Sequence, residues 1–247
     1  RALWDQATAQ AVESAQVVCS TLGSLHRVVE RIEPAEVAVV DEATQATEPA
    51  IWGIVPHIRK LVLVGDPEQL GPFSRVPDSP LERSLLERLV HADMPSPMLG
   101  VQYRMDARIR RLVHPVYGDA YTDHASVAHQ PLSGVRGVMA DPLTDAPLLW
   151  VDTAGAGFDE QRDATTCSLF NPGEARVVGL CVKRLRELGV PAEQIAVIAP
   201  YSAQVALLDR QLDGIEVATV NAFQGREKRV IVVSWVRSNR DGELGFV

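Results

Sequence analysis

Short, nearly continuous runs of Val, Ile and Leu recur along the chain and constrain its fold more than any other feature. Each run is too continuous for a strand with one solvent-exposed face and too short for a buried helix. Such runs are typical of strands buried on both faces, as in a parallel sheet covered by helices. The runs are QVVCS (16–20), VAVVD (37–41), LVLVG (61–65), LLWVD (148–152), IAVIA (195–199), VATV (217–220) and VIVVSW (230–235).

Helix start signals lie between several of these runs. Residues 79–82 (SPLE) have the pattern of a capping box with proline in the first helical position. Residues 171–174 (NPGE) resemble a second start, and the apolar positions after them end at Gly189, a natural stop. Ser202 is placed to cap a third helix over residues 203–212. Strands that alternate with helices predict an α/β fold.

Composition bounds the class of protein. The chain has 247 residues, of which 46% are hydrophobic and 23% charged, which suits one large or two modest soluble domains. The proline-containing stretch 91–98 follows a predicted helix and suits a linker, which divides the chain into residues 1–95 and 96–247. The net charge of −8 argues against a generally basic nucleic-acid binder but leaves room for a narrow basic groove.

The cysteines and the apolar runs bear on the setting of the protein. Cys19, Cys167 and Cys181 lie far apart and form no CxxC, which argues against a disulfide framework or a zinc site. A reducing compartment therefore fits best, cytoplasmic or, in a eukaryote, nuclear. No run approaches the length of a membrane span, so we expect no membrane partner. The chain begins without methionine in a polar, helix-like stretch, and we expect it to be a piece of a longer protein.

Two adjacent carboxylates, Asp41 and Glu42, follow directly after the apolar residues 37–40. A parallel strand delivers its last residues to the carboxyl edge of the sheet, where open α/β folds bind ligands. Two carboxylates there suit a magnesium nucleotide, with Asp41 holding the metal through its waters and Glu42 accepting a proton from an attacking water. The alternative is a pair of solvated residues in a strand-to-helix turn, and the short pattern alone favours that alternative.

The run LVLVG (61–65) also ends in polar residues, Asp66 and, after Pro67 and Glu68, Gln69. If the two strands are neighbours, Gln69 arrives beside the carboxylates. A neutral amide there can orient water or contact a γ-phosphate without opposing its charge. The alternative is a simple turn, because Gly-Asp-Pro is a good turn former.

Arg104 lies in VQYRMDARIRR (101–111), just after the predicted linker. An arginine brought to a phosphate from a second domain makes hydrolysis depend on domain closure. The alternative is a basic helix face, because Arg108, Arg110 and Arg111 follow. For those three residues a helix face or loose contact with a phosphate backbone is preferred.

The stretch TVNAFQGRE (219–227) joins two apolar runs. Gly225 in its turn would let the backbone approach a ligand closely. A surface connection between strands explains the glycine but not the whole string.

These stretches occur in a fixed order with two others. DEATQ, GDPEQLGP, QYRM, NPGEA, APYSAQ and TVNAFQGRE follow one another, and the pattern covers roughly residues 17 to 239. Together they resemble the motif series of superfamily 1 helicases, of the kind that includes the nonsense-decay and Sen-type RNA/DNA helicases. Six ordered matches exclude a chance likeness, whereas any one alone would not.

The resemblance implies a fold and an activity. Two RecA-like α/β domains of the P-loop NTPase type are implied, each a parallel sheet flanked by helices, with the first domain incomplete. Residues 1–95 would be the C-terminal part of the first domain and residues 96–247 the second. ATP with Mg²⁺ would bind between the domains. A single strand of DNA or RNA would run across both, with translocation from 5′ to 3′.

The resemblance also assigns roles around the nucleotide. Asp41 would be the magnesium ligand and Glu42 the catalytic base, with Gln69 at the γ-phosphate and the attacking water. Two residues would approach the nucleotide from the second domain, namely Gln102 and, as an arginine finger, Arg104.

Further roles are implied at the phosphate, the ribose and the nucleic acid. Gly225 and Glu227 would touch phosphate and ribose. Asn221 stands where the family more usually has Asp, with little expected consequence because Asn also caps and turns. The implied contacts to the nucleic-acid backbone are Ser20, Thr21, Tyr201 and Thr219.

One element of the family pattern is missing from the sequence. The phosphate-binding loop GxxxxGK[ST] is absent, and none of Lys60, Lys183 and Lys228 follows a glycine. The family's last motif, which carries another arginine, is expected beyond GELGFV. One hypothesis is therefore a portion of a complete ATP-dependent helicase whose P-loop segment precedes it, with little ATPase activity by itself. The other is a naturally shortened, non-catalytic relative that binds nucleic acid or protein.

Overall fold

The structure is a computed structural model, and it describes residues 2–25, 34–74, 76, 78–239 and 242–245. The chain divides into two compact units, Arg1–Met98 and Leu99–Val247. The proline-containing stretch 91–98 ends at this division. That the two units are parts of two RecA-like domains stays a prediction.

The first unit is built around two parallel strands, β1 (Ala35–Val40) and β2 (Ile58–Leu63). Their register runs from Ala35 opposite Ile58 to Val40 opposite Leu63. Because two parallel strands need a crossover between their ends, a helical connection links them. The helices of this unit are α1 (Ala2–Ser14), α2 (Glu48–Trp52) and α3 (Leu85–His91), with 3₁₀ turns at Leu22–Ser24, Ala43–Gln45, Val55–His57 and Pro80–Glu82.

A small apolar core holds the first unit together. Val40, Ala43 and Ile54 are buried in it, and the partly buried side chains around them come from both strands, from the turn before β1 and from α3. The turn Ala43–Gln45 packs against α3. The residues that follow β1 are thereby fixed on two sides, by β2 and by a helix.

The second unit centres on a three-stranded parallel sheet in the order β8-β7-β9. Its strands are β7 (Ile195–Ala199), β8 (Glu216–Thr219) and β9 (Val230–Val233). Its main helices are α7 (Pro172–Glu187) and α8 (Ser202–Gln211), which contribute to the largest core together with β7. Shorter elements complete it: α4 (Ala107–Arg110), α5 (His114–Tyr117), α6 (Pro142–Asp145), α9 (Val220–Phe223), and the pairs β3 (Val101–Gln102) with β4 (Thr122–Asp123) and β5 (Gln161–Arg162) with β6 (Leu169–Phe170).

The prediction of an α/β fold with parallel sheets is confirmed, and five of the seven predicted strands are present. The runs 16–20 and 148–152 form no strand, so those two predictions are wrong. A run becomes a strand only when a neighbour offers its N–H and C=O groups. Among the described residues, the strands that pair with β7 are β8 and β9, so the run 148–152 does not join this sheet. The side chain of Trp150 in that run is 75% exposed.

The prediction that the strands are buried on both faces holds only for β7, where four of five residues are buried. In β1, Val37 and Val39 are 51% and 64% exposed, because the core of the first unit gathers on the face that carries Ala38 and Val40. No described element of that unit covers the opposite face. Continuous apolar sequence therefore overstates how much of this small sheet is buried.

The predicted helix starts differ in outcome. Asn171 caps α7 as predicted, since its side chain accepts a hydrogen bond from the N–H of Glu174. Ser79 caps only the 3₁₀ turn Pro80–Glu82, and α3 begins later behind a second cap, Ser84. Ser202 is the first residue of α8 and not its cap, because its hydroxyl bonds the hydroxyl of Ser168. Among the described residues, no helix has both the length and the apolar character that a membrane span needs.

Candidate functional site

The two adjacent carboxylates lie in the turn that leaves β1. Asp41 is exposed, and its Oδ1 accepts a hydrogen bond of 3.0 Å from the N–H of Glu42. Glu42 adopts left-handed backbone angles (φ 50°, ψ 42°), a conformation that costs energy for any residue with a Cβ. Outliers of this kind persist only where the surroundings enforce them, and they gather at functional sites.

Backbone contacts between the ends of β1 and β2 enforce that turn. The N–H of Val64 donates to the carbonyl of Val40 at 2.9 Å, and the N–H of Ala43 donates to the carbonyl of Val64 at 2.8 Å. A Cβ added to Gly65 would lie 3.1 Å from the backbone nitrogens of both Ala43 and Thr44. Glycine is therefore required for the second strand end to pack this closely against the first.

The strands β1 and β2 are neighbours in parallel register, which meets the condition set for Gln69, so the turn that carries it leaves the same edge of the sheet as Asp41 and Glu42. Gln69 is exposed, and its amide donates to Asp66 Oδ2 at 2.8 Å. The N–H of Glu68 donates to the other oxygen of Asp66 at 3.1 Å. The Gln69 side chain is thus held within its own turn, and its contact with a γ-phosphate stays a prediction.

Gln45 also belongs to this turn, and sequence reasoning gave it no role. Its side-chain amide donates to Glu42 Oε2 at 3.2 Å, and its backbone N–H donates to the Glu42 carbonyl at 2.9 Å. The signal in the sequence was the spacing of three residues between Glu42 and Gln45. That spacing brings two side chains to the same side of a 3₁₀ turn.

In the second unit, Gln102 is only 5% exposed and all of its polar capacity is used inside the protein. Its Oε1 accepts from the N–H groups of Arg104 and Met105, at 2.8 and 2.9 Å. Its Nε2 donates to the Met105 carbonyl and to Asp123, both at 2.7 Å. Gln102 therefore shapes the loop that presents Arg104, and the predicted contact of its own side chain with a nucleotide stays untested.

Arg104 itself reaches a second predicted site residue. Its Nε lies 2.6 Å from Glu227 Oε2, and the two side chains are 70% and 67% exposed. The structure thus brings together two residues that the sequence placed at the nucleotide for separate reasons. Gly225, two residues before Glu227 in the chain, has a φ of 75°, in the left-handed region that favours glycine.

The candidate nucleic-acid residues occupy strand and helix ends. Thr219 ends β8 and caps α9, its hydroxyl accepting from the N–H of Ala222 at 3.3 Å. Tyr201 precedes α8, and its hydroxyl accepts from Arg237 at 3.4 Å. Ser20 and Thr21 are exposed in the first unit. Their hydroxyls bond locally, Ser20 to the carbonyl of Thr21 and Thr21 to the hydroxyl of Ser24.

Of the three arginines that follow Arg104 on and after α4, Arg108 and Arg110 are engaged in ion pairs. Arg110 lies 3.2 Å from Asp123, and both side chains are largely buried. Arg108 lies 3.1 Å from Asp106, whose side chain is 2% exposed. The hydrogen bonds from the Arg108 side chain hold the pKa of Asp106 well below its usual range, and the backbone N–H groups of Gln130 and Arg108 add to the effect. Burial opposes this shift and is outweighed.

A buried polar network in the second unit was not foreseen. Asn171, fully buried, donates from Nδ2 to the carbonyls of Phe158 and Val236, at 2.9 and 3.1 Å. Glu174 accepts from the N–H of Val236 at 2.9 Å, and Gln204 accepts from the N–H of Asn171 at 2.8 Å. Val236 is fully buried with a φ of 72°, which is exceptional for a β-branched residue.

This network ties three stretches together. Asn171 and Glu174 come from NPGEA and Gln204 from APYSAQ, while Val236 lies in the stretch that follows β9. The next residue, Arg237, pairs with Glu160 and Glu243 at 3.1 Å each. The two motifs thus form a structural frame, and NPGEA fixes both the N–H and the carbonyl of Val236.

Comparison with known proteins identifies the family of the chain. A protein-family model described as "AAA domain" matches residues 81–247, and a second model with the same description matches residues 2–74. The chain therefore belongs to the AAA domain family, and within it to the superfamily 1 helicases of the nonsense-decay type. The mixed α/β structure with small parallel sheets agrees with the RecA-like P-loop fold of such proteins.

Several relatives carry descriptive names. The chain is 42% identical to "DNA-binding protein SMUBP-2" of Rattus norvegicus, over 86% of this chain and 22% of that protein. It is 37% identical to "DNA polymerase alpha-associated DNA helicase A" of Saccharomyces cerevisiae, over 92% of this chain and 37% of that protein. It is 32% identical to "Regulator of nonsense transcripts 1 homolog" of Drosophila melanogaster, over 96% of this chain and 21% of that protein. The chain thus spans well under half the length of these curated relatives.

Proposed function

We propose that this chain is part of an ATP-dependent helicase or translocase that couples ATP hydrolysis to movement along single-stranded DNA or RNA. One observation carries the proposal: Asp41 and Glu42 leave the carboxyl edge of a parallel sheet beside the turn that carries Gln69. The family and the names of the relatives, a DNA-binding protein, a DNA helicase and a regulator of nonsense transcripts, support it.

The residues present fit a magnesium nucleotide. Mg²⁺ is usually bound by one or two carboxylates together with phosphate oxygens and waters. Asp41 is an exposed carboxylate of the required kind. The described residues contain no group of three or more His, Cys, Asp or Glu that could hold a metal unaided, which fits an ion completed by a nucleotide. When bound, ATP with Mg²⁺ supplies the phosphoryl group and neutralises its charge.

The site residues then divide the work. Asp41 holds the ion, Glu42 accepts a proton from the attacking water, and Gln69 orients that water. Arg104 stabilises the charge on the transferring phosphoryl group, and Glu227 accepts hydrogen bonds from the ribose hydroxyls. The turn at Gly225 lets the backbone approach a phosphate closely, and Gln102 shapes the loop before Arg104.

The proposed nucleic-acid contacts are hydroxyls: Ser20 and Thr21 in the first unit, Tyr201 and Thr219 in the second. Hydroxyls that contact phosphate and sugar fix the position of a strand without reading its bases. Binding is therefore expected to be independent of sequence and to weaken with salt. The net charge of −8 requires that these contacts be local, because the chain as a whole repels a polyanion.

The test is Glu42→Gln in the full-length protein that contains this chain. We expect single-strand-stimulated ATP hydrolysis to fall by at least about a hundredfold, because the base is lost, while ATP binding persists, because Asp41 stays. Glu36→Gln, at an exposed position of β1, is the control and should hydrolyse ATP normally. Undiminished turnover in Glu42→Gln would refute the role of Glu42. Full-length protein that binds single strands without hydrolysing ATP would favour the non-catalytic binding module.

A further inference from the structure

The surroundings of Glu42 fix its backbone, but packing does not fix its side chain. Its backbone is held in the left-handed region by the bond between Ala43 and Val64 and by the close approach of Gly65. Its carboxylate, at the end of three rotatable bonds, is only half-buried. A general base must hold its oxygen within hydrogen-bond reach of the water, so some further contact has to orient this carboxylate.

The contact is made by Gln45. Its Nε2 donates to Glu42 Oε2 at 3.2 Å, while its backbone N–H donates to the carbonyl of the same residue at 2.9 Å. Both bonds come from one residue on one turn, so the side-chain amide is presented to the carboxylate by the backbone geometry itself. The opposite oxygen, Oε1, has no hydrogen-bond partner within the part of the chain that the structure describes.

The chemistry of the amide suits this task. A neutral amide donor orients one carboxylate oxygen by a hydrogen bond and adds no charge of its own to the site. The other oxygen is left to accept the proton.

We infer that Gln45 is a positioning residue that holds the Glu42 carboxylate through Oε2 and thereby presents Oε1 to the attacking water. The inference rests on the proposed role of Glu42 as the base. Gln45 itself contacts neither the water nor the phosphate. Its loss should therefore slow the chemical step and leave nucleotide binding unchanged.

The experiment measures ATP hydrolysis by the full-length protein that carries Gln45→Met, which keeps the length of the side chain and removes the donor. We expect kcat to fall about tenfold, the size typical of losing an orienting partner, with KM for ATP within about twofold of the parent. Gln45→Glu, of the same shape but with a charge that repels Glu42, should lower kcat further. Gln10→Met, the same change at an exposed glutamine of α1, should leave both constants unaltered.

The outcomes separate this inference from the function on which it rests. If Glu42→Gln abolishes turnover while Gln45→Met keeps a kcat within twofold of the parent, Gln45 does not position the base. A fall in kcat matched by a comparable rise in KM, or by a lower melting temperature, would also overturn the inference, because it would mark a general disturbance of the turn. If Glu42→Gln itself keeps full turnover, the proposed function fails first.

Discussion

Arg104 Nε lies 2.6 Å from Glu227 Oε2, in an ion pair whose two side chains remain mostly exposed. Exposed pairs of this kind contribute at most about 1 kcal/mol to folding, because water screens the charges and two long side chains lose freedom. Stability therefore does not account for the presence of the pair. Each side chain is exposed enough to exchange its partner for a ligand, which in the proposed function is a phosphate for Arg104 and a ribose for Glu227.

Arg104→Ala and Glu227→Ala are expected to leave the fold almost unchanged and to disable the enzyme. In urea denaturation of this chain, neither variant should lose more than about 1 kcal/mol. In the full-length protein, Arg104→Ala should slow ATP hydrolysis by about a thousandfold, as for other arginine fingers. Arg59→Ala, which breaks a still more exposed pair with Glu36, is the control for both assays. A large loss of stability would instead give the pair a structural role.

Gly65→Ala should disturb the turn that carries the two carboxylates. The new methyl group would lie 3.1 Å from two backbone nitrogens and 2.9 Å from Leu86 Cδ2, so the strand ends must separate. We expect a loss of about 1–3 kcal/mol in urea denaturation, as for overpacked cores. At Gly53, an added Cβ would lie no nearer than 3.4 Å to any other atom, and the backbone has an ordinary helical φ. Gly53→Ala should therefore leave the free energy of unfolding unchanged or raise it slightly. Equal effects at the two glycines would contradict this account.

Asp106→Asn should remove a pH-dependent part of the stability. The folded-state pKa of Asp106 lies below its unfolded value, chiefly because Arg108 donates to it, so ionised Asp106 stabilises the fold at neutral pH. That stabilisation is complete above about pH 4, the unfolded pKa, and is lost as the pH falls towards the lower folded pKa. Hence the variant should be about 2 kcal/mol less stable at pH 7, and the gap should narrow below pH 4.

The control for this prediction is Asp119→Asn. Asp119 is fully exposed and, within the described part of the chain, its ion pair is with His114, so its replacement should leave unfolding by urea unchanged at pH 7. A gap between the Asp106 variant and the parent that stays constant from pH 7 down to pH 2 would show that the charge of Asp106 is not what stabilises the fold.

Asn171→Ala should destabilise the second unit strongly. The change leaves the carbonyls of Phe158 and Val236 and the N–H of Glu174 without their partner in a fully buried place. A loss of about 3 kcal/mol or more in urea denaturation is expected, from an unfilled helix cap and unsatisfied buried groups together. Asn221→Ala, at an exposed position, should fall within about 0.5 kcal/mol of the parent. Similar losses in both variants would argue against the network.

The local pattern of the sequence was enough for several elements. Five apolar runs form parallel strands, and Asn171 caps α7, because both features depend on residues close together in the chain. The sequence pattern posed the adjacency of β1 and β2 only as a condition, which the parallel register meets. Strands joined by one helical connection usually lie side by side. The placement of Gln69 at the same edge of the sheet as Asp41 and Glu42 is a consequence of that adjacency.

The runs 16–20 and 148–152 show where pattern failed. They have the composition of strands, yet pairing depends on a partner edge elsewhere in the fold, which no run of residues encodes by itself. Val37 and Val39, apolar by sequence, stand exposed on β1 for a different tertiary reason, because no described element of the first unit covers that face of the sheet.

By itself, the sequence determined the strands of the β1-β2 sheet and of the three-stranded sheet, the order of the motifs and the family to which they belong, because these rest on residue type and spacing. Tertiary structure alone decided how the site residues are held. Gly65 packs on the turn after β1, and the side chain of buried Gln102 uses all of its hydrogen bonds to shape a loop. Arg104 forms an ion pair with Glu227, which lies far from it in the sequence. Such contacts arise only when distant segments are brought together, so their partners cannot be read from local sequence.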